Sequence, residues 1–144
     1  MTKSKYNLLL TKNNIRIVSQ SIKKYLTSDL LNKEYREINK TNKMFGHCHN
    51  ASGCLYKIFG SDLVEMIRVE DGQFNNKKFY HWWIRDKKTN KIIDITSSQY
   101  KDKNKLQKLY KKGEPNVIQQ WGYRMRVNKL LKLVEKDLGL DNIK

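Results

Sequence analysis

The chain has 144 residues, enough for one domain with a modest core, and 38% of them are hydrophobic. Lys and Arg outnumber Asp and Glu by 30 to 14, which gives a formal net charge of +16. No apolar run approaches the roughly 20 residues of a membrane span, and the first apolar stretch is too short for a signal-peptide core. The sequence therefore excludes a membrane-spanning helix and predicts a cytoplasmic protein, of the producing cell or of a host.

The excess of positive charge has two interpretations. A lysine-rich composition can simply give a solvated surface, because net charge bears on solubility more than on fold. Alternatively, the surface attracts nucleic acid or another polyanion. The densest basic run is KDKNKLQKLYKK at residues 101–112. It has no glycine-rich loop, zinc-finger spacing or aromatic RNA-binding signature, so the charge alone identifies no partner, and the oligomeric state stays open.

Two helical segments are predicted before residue 40. Between residues 14 and 31 the apolar side chains follow helical spacing, and Asn13 or Asn14 is placed to cap the N-terminus. Residues 34–39 form a weaker helical or irregular stretch. The N-terminal third of the chain is therefore predicted to be a helical segment that precedes the core.

A cysteine stands where a polar segment turns into a third predicted helix, which ends at Gly60 as the expected C-cap. Cys48 is expected in or just before the first turn of this helix. There the unpaired backbone N–H groups and the positive end of the helix dipole favour a thiolate, as a cysteine nucleophile requires. Cys54, six residues later, falls on a different helix face, which argues against a local disulfide.

The middle of the chain predicts a small sheet. Residues 61–70 predict a buried strand, followed by a turn at residues 71–72 and a loop over residues 73–78. FYHWWIR at residues 79–85 is the clearest strand, and KIIDIT at residues 91–96 is its returning partner. Alternation places Phe79, His81 and Trp83 on one face of the first strand and Tyr80, Trp82 and Ile84 on the other.

The hairpin brings a histidine and a carboxylate together. His81 and Asp94 lie opposite each other if the turn centres between Lys87 and Lys88. A register shifted by two residues still leaves the pair within diagonal reach. We therefore expect His81 and Asp94 to interact in either register.

The C-terminal third predicts helices again. Residues 101–113 predict a basic helical segment, and Pro115 opens an amphipathic helix over residues 116–138. Gly122 is the expected break in that helix and Gly139 its expected stop.

Cys48, His81 and Asp94 are together the residue types of a nucleophilic triad. A thiolate attacks a carbonyl carbon, an imidazole keeps the thiol ionised and protonates the leaving group, and a carboxylate fixes the imidazole tautomer. The backbone N–H of Cys48 is a candidate oxyanion donor, since helix N-terminal amides point at developing negative charge. No cofactor or metal is expected in this chemistry.

The motifs around these residues resemble known proteins. The order of a nucleophile helix and a sheet carrying His and then Asp is similar to the papain-like and transglutaminase-like cysteine hydrolases. More narrowly, Cys48-x-x-Ala51-Ser52, His81-Trp82-Trp83 and Asp94-x-Thr96 resemble C-x-x-A-S, H-W-[FW] and D-x-T motifs of small phage and bacterial proteins. This resemblance covers about residues 44–100 and implies a cysteine hydrolase or acyltransferase. Its substrate would contain an amide, isopeptide or thioester bond.

The chain departs from papain-type enzymes at the oxyanion hole. Those enzymes carry a glutamine upstream of the cysteine, whereas here the upstream segment offers only Asn42. Asn42 is therefore the side-chain candidate for that role. The residues assigned to the substrate pocket are His47, His49, Trp82, Trp83 and Gln99.

Each assignment has a structural alternative. Cys48 can be a small core residue, His81 a member of an aromatic cluster, and Asp94 a structural strut whose burial demands a partner. A zinc site is the chemical rival, since His47, His49, Cys48, Cys54 and His81 are all possible ligands. However, three of the five are consecutive and point in different directions, and no second CxxC or HxxxH closes a tetrahedron.

These expectations combine into one prediction. The chain is expected to be a single α+β domain over residues 1–144, with a papain-like core at about residues 44–100. Helical segments at residues 13–40 and 101–140 flank that core. The predicted function is a Cys-His-Asp hydrolase or acyltransferase. The alternative is a non-enzymatic basic protein that binds nucleic acid or a protein partner. A phage-encoded protein of this kind is one form of the alternative.

Overall fold

A computed structural model describes residues 4, 6–116 and 121–140 of the chain. In this part the predicted α+β class is confirmed: helices pack on a four-stranded antiparallel sheet. The helices are α1 (Lys12–Lys24), α2 (Lys33–Asn39), α3 (Cys48–Phe59), α4 (Lys103–Lys112) and α5 (Trp121–Leu138). The strands are β1 (Val64–Phe74), β2 (Lys77–Asp86), β3 (Ile92–Ile93) and β4 (Glu114–Pro115). Among the described helices, none is both long and apolar enough to cross a bilayer.

The first helix is shorter than predicted and is capped by a different residue. The Thr11 side chain, not that of Asn13 or Asn14, is the N-cap and accepts a hydrogen bond from the Asn14 N–H at 3.1 Å. The helix ends at Lys24 and does not continue to residue 31. A short 3-10 turn, Ser28–Leu30, follows. Ser, Thr and Asp side chains compete for backbone partners, which explains why the helix does not extend through this segment.

Helix α3 is the central helix of the fold. It begins at Cys48 and ends at Gly60, whose φ of +90° is the left-handed geometry that a glycine adopts without strain. Most of its residues are buried. A side-chain carbon at Gly53 would lie 2.8 Å from Val127, so the absence of a side chain lets α5 approach α3 closely.

The β1–β2 hairpin extends further than the sequence predicted. The turn expected at residues 71–72 is in fact a bulge between Glu70 and Gln73, with Gly72 at a φ of +73°. The hairpin turn is Asn75–Asn76, and both residues have positive φ. Two consecutive positive φ values match the twist of the flanking strands, and asparagine tolerates them better than most residues. The predicted loop over residues 73–78 is therefore wrong, because most of it belongs to β1 and β2.

The returning strand is shorter than predicted. Only Ile92 and Ile93 pair with β2, with Ile93 opposite Ile84. This register is offset by two residues from the one that would place His81 directly opposite Asp94. Asp94 therefore follows the strand and reaches His81 diagonally.

The sheet has the order β3-β2-β1-β4 and separates two cores. The alternation predicted for β2 is observed, because Trp82 and Ile84 belong to one core and Trp83 to the other. The larger core lies between the sheet and α1, α3 and α5, and includes Val18, Ile22, Leu55, Ile58, Leu130 and Val134. The smaller core lies beneath α4 and contains Ile67, Val69, Trp83, Tyr100, Leu106 and Leu109.

The segment after α4 differs from the prediction. Pro115 does not open a helix but forms β4 at the edge of the sheet, opposite Ile67. Proline is compatible with an edge strand, because its missing N–H need not pair. The last helix, α5, begins at Trp121; the first part of the predicted helix, residues 117–120, lies outside the described residues. Gly139 has a φ of +68° where the helix was expected to stop.

Gly113 is predicted to be required for the contact between α4 and the sheet. An added side-chain carbon at this position would press against the Trp83 ring and lie 2.6 Å from Ile67 Cγ2. We expect Gly113→Ala to lower the free energy of unfolding by about 1–3 kcal/mol, as overpacked cores do. Urea unfolding measures this change. Alanine adds no backbone strain at Gly113, whose φ is −65°, so an unchanged free energy of unfolding in Gly113→Ala would contradict the packing explanation.

Candidate active site

Cys48 is the first residue of α3, as the sequence predicted. The tight turn before it is formed by Gly46, whose φ is +82°, and by the hydrogen bond from the His47 N–H to the Met44 carbonyl at 3.2 Å. The Cys48 side chain is 4% exposed and its sulfur lies 3.5 Å from the Tyr80 carbonyl oxygen. The nucleophile candidate is therefore held between the N-terminus of α3 and strand β2.

His81 lies on β2 and is fully buried. Its Nε2 is 2.7 Å from Asp94 Oδ2, and the Cys48 side chain lies close enough to the ring to raise its pKa. The Tyr100 ring packs edge-on against the imidazole with 4.8 Å between centroids. Gln99 Nε2 lies 3.5 Å from the other ring nitrogen, Nδ1. The structure thus brings the three predicted triad residues together, with His81 in the middle.

The two partners of His81 determine its proton affinity. Burial disfavours the charged imidazolium, but hydrogen bonds and charge interactions with Asp94 and Cys48 outweigh burial and raise the pKa of His81 from 6.5 to about 9. At neutral pH the ring therefore holds a proton beside the sulfur. A protonated imidazole beside a cysteine is an arrangement found in cysteine nucleophiles.

The Asp94 carboxylate is supported from several sides. Its side chain is 4% exposed, so its lone pairs must be satisfied by protein donors. Oδ1 accepts hydrogen bonds from the Thr96 N–H at 3.2 Å and the Thr96 hydroxyl at 3.4 Å. Oδ2 accepts from His81 and from the Tyr110 hydroxyl, each at 2.7 Å. The carboxylate is therefore fixed in orientation.

Four residues assigned to the pocket from sequence are buried in the interior. His47 is fully buried, and neither ring nitrogen has a hydrogen-bond partner among the described residues. His49 packs edge-on against Trp82 at 4.8 Å, and Trp82 and Trp83 lie in the two cores. Burial lowers the pKa of His47 and of His49 to about 4, so both are neutral at physiological pH. None of the four lines the groove beside the triad.

Two further points concern the second cysteine, Cys54, and the zinc site considered as an alternative. Cys54 is fully buried and unbridged, and burial raises its pKa. Across the described residues, no three His, Cys, Asp or Glu side chains converge as metal ligands would.

A groove of about 440 Å³ lies next to the triad. Gln99, the fifth residue assigned to the pocket, lines it and also lies beside His81. Asn42 lines it too, but its amide donates to the Gln99 carbonyl at 3.0 Å and so supports the wall. The other lining residues are Ile38, Phe45, Asp71, Gln73, Phe74, Phe79, Tyr100, Lys101, Asp102 and Lys105.

Sequence reasoning missed two kinds of site residue. Tyr110 is 16 positions from Asp94 in a basic helix, and only the fold places its hydroxyl on the carboxylate. The aromatic wall of the groove was also missed. The spacing could have indicated it, because Phe45 precedes Cys48 by three residues and Phe79 lies two before His81 on the same strand face.

The comparisons with known proteins supply no relative. A scan against protein-family models, a search of curated proteins and a search of solved structures each returned no match to this chain. Support for a function therefore comes from the geometry of the site.

His47 is expected to make the fold sensitive to acid. Its pKa is about 4 in the folded state and near 6.5 when exposed, so below pH 6.5 the unfolded state binds a proton that the folded state does not. Stability should therefore fall as the pH drops from 6.5 towards 4. In His47→Leu this part of the loss should disappear. Urea unfolding at several pH values measures it, and identical acid profiles for both proteins would contradict the assignment.

Proposed function

We propose that the protein is a cysteine hydrolase or acyltransferase in which Cys48 is the nucleophile, His81 the acid and base, and Asp94 the group that orients His81. The observation that carries this proposal is the position of His81, between a carboxylate at 2.7 Å and the thiol at a helix N-terminus. The raised pKa of His81, about 9, supports a protonated imidazole beside the Cys48 side chain at neutral pH.

The first half of the reaction forms a thioester. The Cys48 thiolate attacks the carbonyl carbon, and the carbonyl electron pair moves onto oxygen. The N–H groups in the first turn of α3 have no acceptor within the helix and stabilise that oxyanion. When the intermediate collapses, the bond to the leaving amine or thiol breaks, and His81 gives the leaving group its proton.

The second half releases the acyl group. Neutral His81 takes a proton from water, the hydroxide attacks the thioester carbon, and the carbon–sulfur bond breaks. The products are a carboxylic acid and the Cys48 thiolate, with His81 protonated again. An amine acceptor in place of water gives transfer instead of hydrolysis. Asp94 accepts the hydrogen bond from His81 Nε2–H throughout the reaction. Nδ1 is therefore the nitrogen that gives a proton to the leaving group and takes one from water.

The substrate reaches this pair from the groove. Phe45 and Phe79 stack with 5.3 Å between centroids, and Phe74 lies 5.6 Å from Phe45, so one wall is aromatic. Such a wall suits an apolar group near the acyl carbon. Gln99 lines the groove and lies beside His81, and in this proposal its side chain turns aside when substrate binds.

The papain-like or transglutaminase-like kinship belongs to this proposal. It is supported by a cysteine at the start of a helix and by a histidine and an aspartate that follow in that order on the sheet and just after it. A cytoplasmic location is proposed with it. The triad chemistry itself does not depend on the kinship.

Hydrolysis of an activated thioester tests the function. We expect Cys48→Ala to abolish turnover, because it removes the nucleophile. Asp94→Asn should lower kcat by about 10³-fold, because the amide no longer sets the imidazole tautomer. The release of the coloured thiol measures both rates.

The matched control is Cys54→Ala, which removes the other thiol and should keep turnover. Thermal unfolding of each variant shows whether it is folded. If Asp94→Asn unfolds the protein while Cys48→Ala loses no turnover, Asp94 is a structural strut and the proposed function is wrong.

Phe45 is expected to contribute to substrate binding in the groove. For a thioester of a phenyl-substituted acid, Phe45→Ala should raise KM by about tenfold, whereas for the acetyl thioester KM should change little. Leu9→Ala is the control, since Leu9 is 70% exposed and outside the groove. Equal effects on both thioesters would show that the groove does not bind the acyl group.

A further inference from the structure

Asp94 has a second strong donor besides His81. The Tyr110 hydroxyl donates to Oδ2, the same oxygen that accepts from His81 Nε2, and both distances are 2.7 Å. The other oxygen is held by Thr96. Two donors on one carboxylate oxygen share its electron density, so each affects the strength of the other's bond.

Tyr110 is held firmly enough to act on the carboxylate. Its ring meets the Trp83 ring edge-on with 4.9 Å between centroids. Its helix, α4, is anchored by Leu106 and Leu109 in the smaller core, and its N-cap is Asp102, whose side chain accepts hydrogen bonds from two helix amides. Burial and the neighbouring carboxylate raise the pKa of Tyr110, so the hydroxyl stays protonated and remains a donor.

The other groups that face His81 are the Gln99 amide at Nδ1 and the rings of Trp83 and Tyr100. The Tyr100 hydroxyl donates to Asp71 at 2.5 Å, and Lys105 pairs with the same aspartate at 3.1 Å. Cys48 faces the ring from α3. Tyr110 is therefore the group from α4 that acts directly on the Asp94 carboxylate, and Asp71 and Lys105 neutralise each other nearby.

We propose that Tyr110 is a positioning residue for the triad: its hydroxyl fixes the rotation of the Asp94 carboxylate and limits how strongly that carboxylate holds the His81 proton. Its effect on turnover rests on the proposed function, while its effect on His81 does not. Because Tyr110 draws density from Oδ2, its removal strengthens the bond from His81 and makes the imidazolium harder to deprotonate. His81 then becomes a poorer proton donor to the leaving group.

The test is Tyr110→Phe, which keeps the ring against Trp83 and removes only the hydroxyl. The His81 ring protons, followed by NMR against pH, should titrate with a midpoint about half a pH unit higher than in the unmodified protein. In thioester hydrolysis kcat should fall about fivefold with KM unchanged, and the pH–rate profile should move in the same direction.

The matched control is Tyr25→Phe, because the Tyr25 hydroxyl also bonds an aspartate, Asp137, at 3.3 Å, far from the triad. It should leave the His81 midpoint and kcat unchanged. A merely structural Tyr110 would lower the unfolding temperature without moving the His81 midpoint, and that result overturns the proposal.

The two proposals fail in different ways. If the unmodified protein hydrolyses the thioester and Tyr110→Phe alters neither the midpoint nor kcat, Tyr110 is not a positioning residue and the triad function stands. If the unmodified protein shows no turnover that depends on Cys48, the function is wrong. The His81 titration still tests the role of Tyr110 in that case. A higher midpoint in Tyr110→Phe supports the action of Tyr110 on Asp94, and an unchanged midpoint overturns it.

Discussion

The hydrogen bond between His81 and Asp94 is the interaction on which the centre of this structure depends. Both side chains are almost completely buried, at 0% and 4% exposure. A buried ion pair contributes little by itself, because desolvation opposes the attraction, but removal of one partner leaves a charge without compensation. The surrounding elements therefore have to provide the remaining donors. Thr96 and Tyr110 do so, and through them the loop after β3 and helix α4 are tied to the triad.

The same constraint explains why the site lies where the two cores meet. The side chains of β2 alternate between the cores, with Trp82 on the side of α3 and Trp83 on the side of α4. His81 precedes both tryptophans on β2, where its ring packs against the Trp83 ring and lies near Cys48, Asp94 and Tyr100. The three residues thus lie at the boundary between the two layers.

Much of this arrangement could be predicted from sequence because it depends on local patterns. The start of α3 at Cys48, its end at Gly60 and the alternation along β2 each follow from residues within a few positions. The contact between His81 and Asp94 was expected in either hairpin register. That prediction therefore did not depend on the exact pairing, which differs by two residues from the directly opposed one. The hairpin turn was misplaced because Gly72 gives the same local signal in a bulge as in a turn.

Two contacts that sequence reasoning did not find join distant parts of the chain. One is the hydrogen bond from Tyr110 to the Asp94 carboxylate, and the other is the pairing of Pro115 with β1. No local sequence pattern indicates either contact. His47 and His49 were assigned to the pocket as polar neighbours of Cys48, yet α3 is so deeply placed that both rings face the interior. Proximity in sequence to a nucleophile does not decide whether a side chain meets substrate or core.

The close packing of α3 against α5 has a consequence for how the protein is made. Gly53 leaves room for Val127, and the side chains that cover α3 include Leu130 and Val134, more than 70 residues downstream. During synthesis α3 therefore leaves the ribosome before α5, one of the elements that cover it. Until α5 follows, the apolar surface of α3 stays exposed and Tyr110 is not yet docked. The contacts that join Cys48, His81, Asp94 and Tyr110 are thus completed only when most of the chain has been translated.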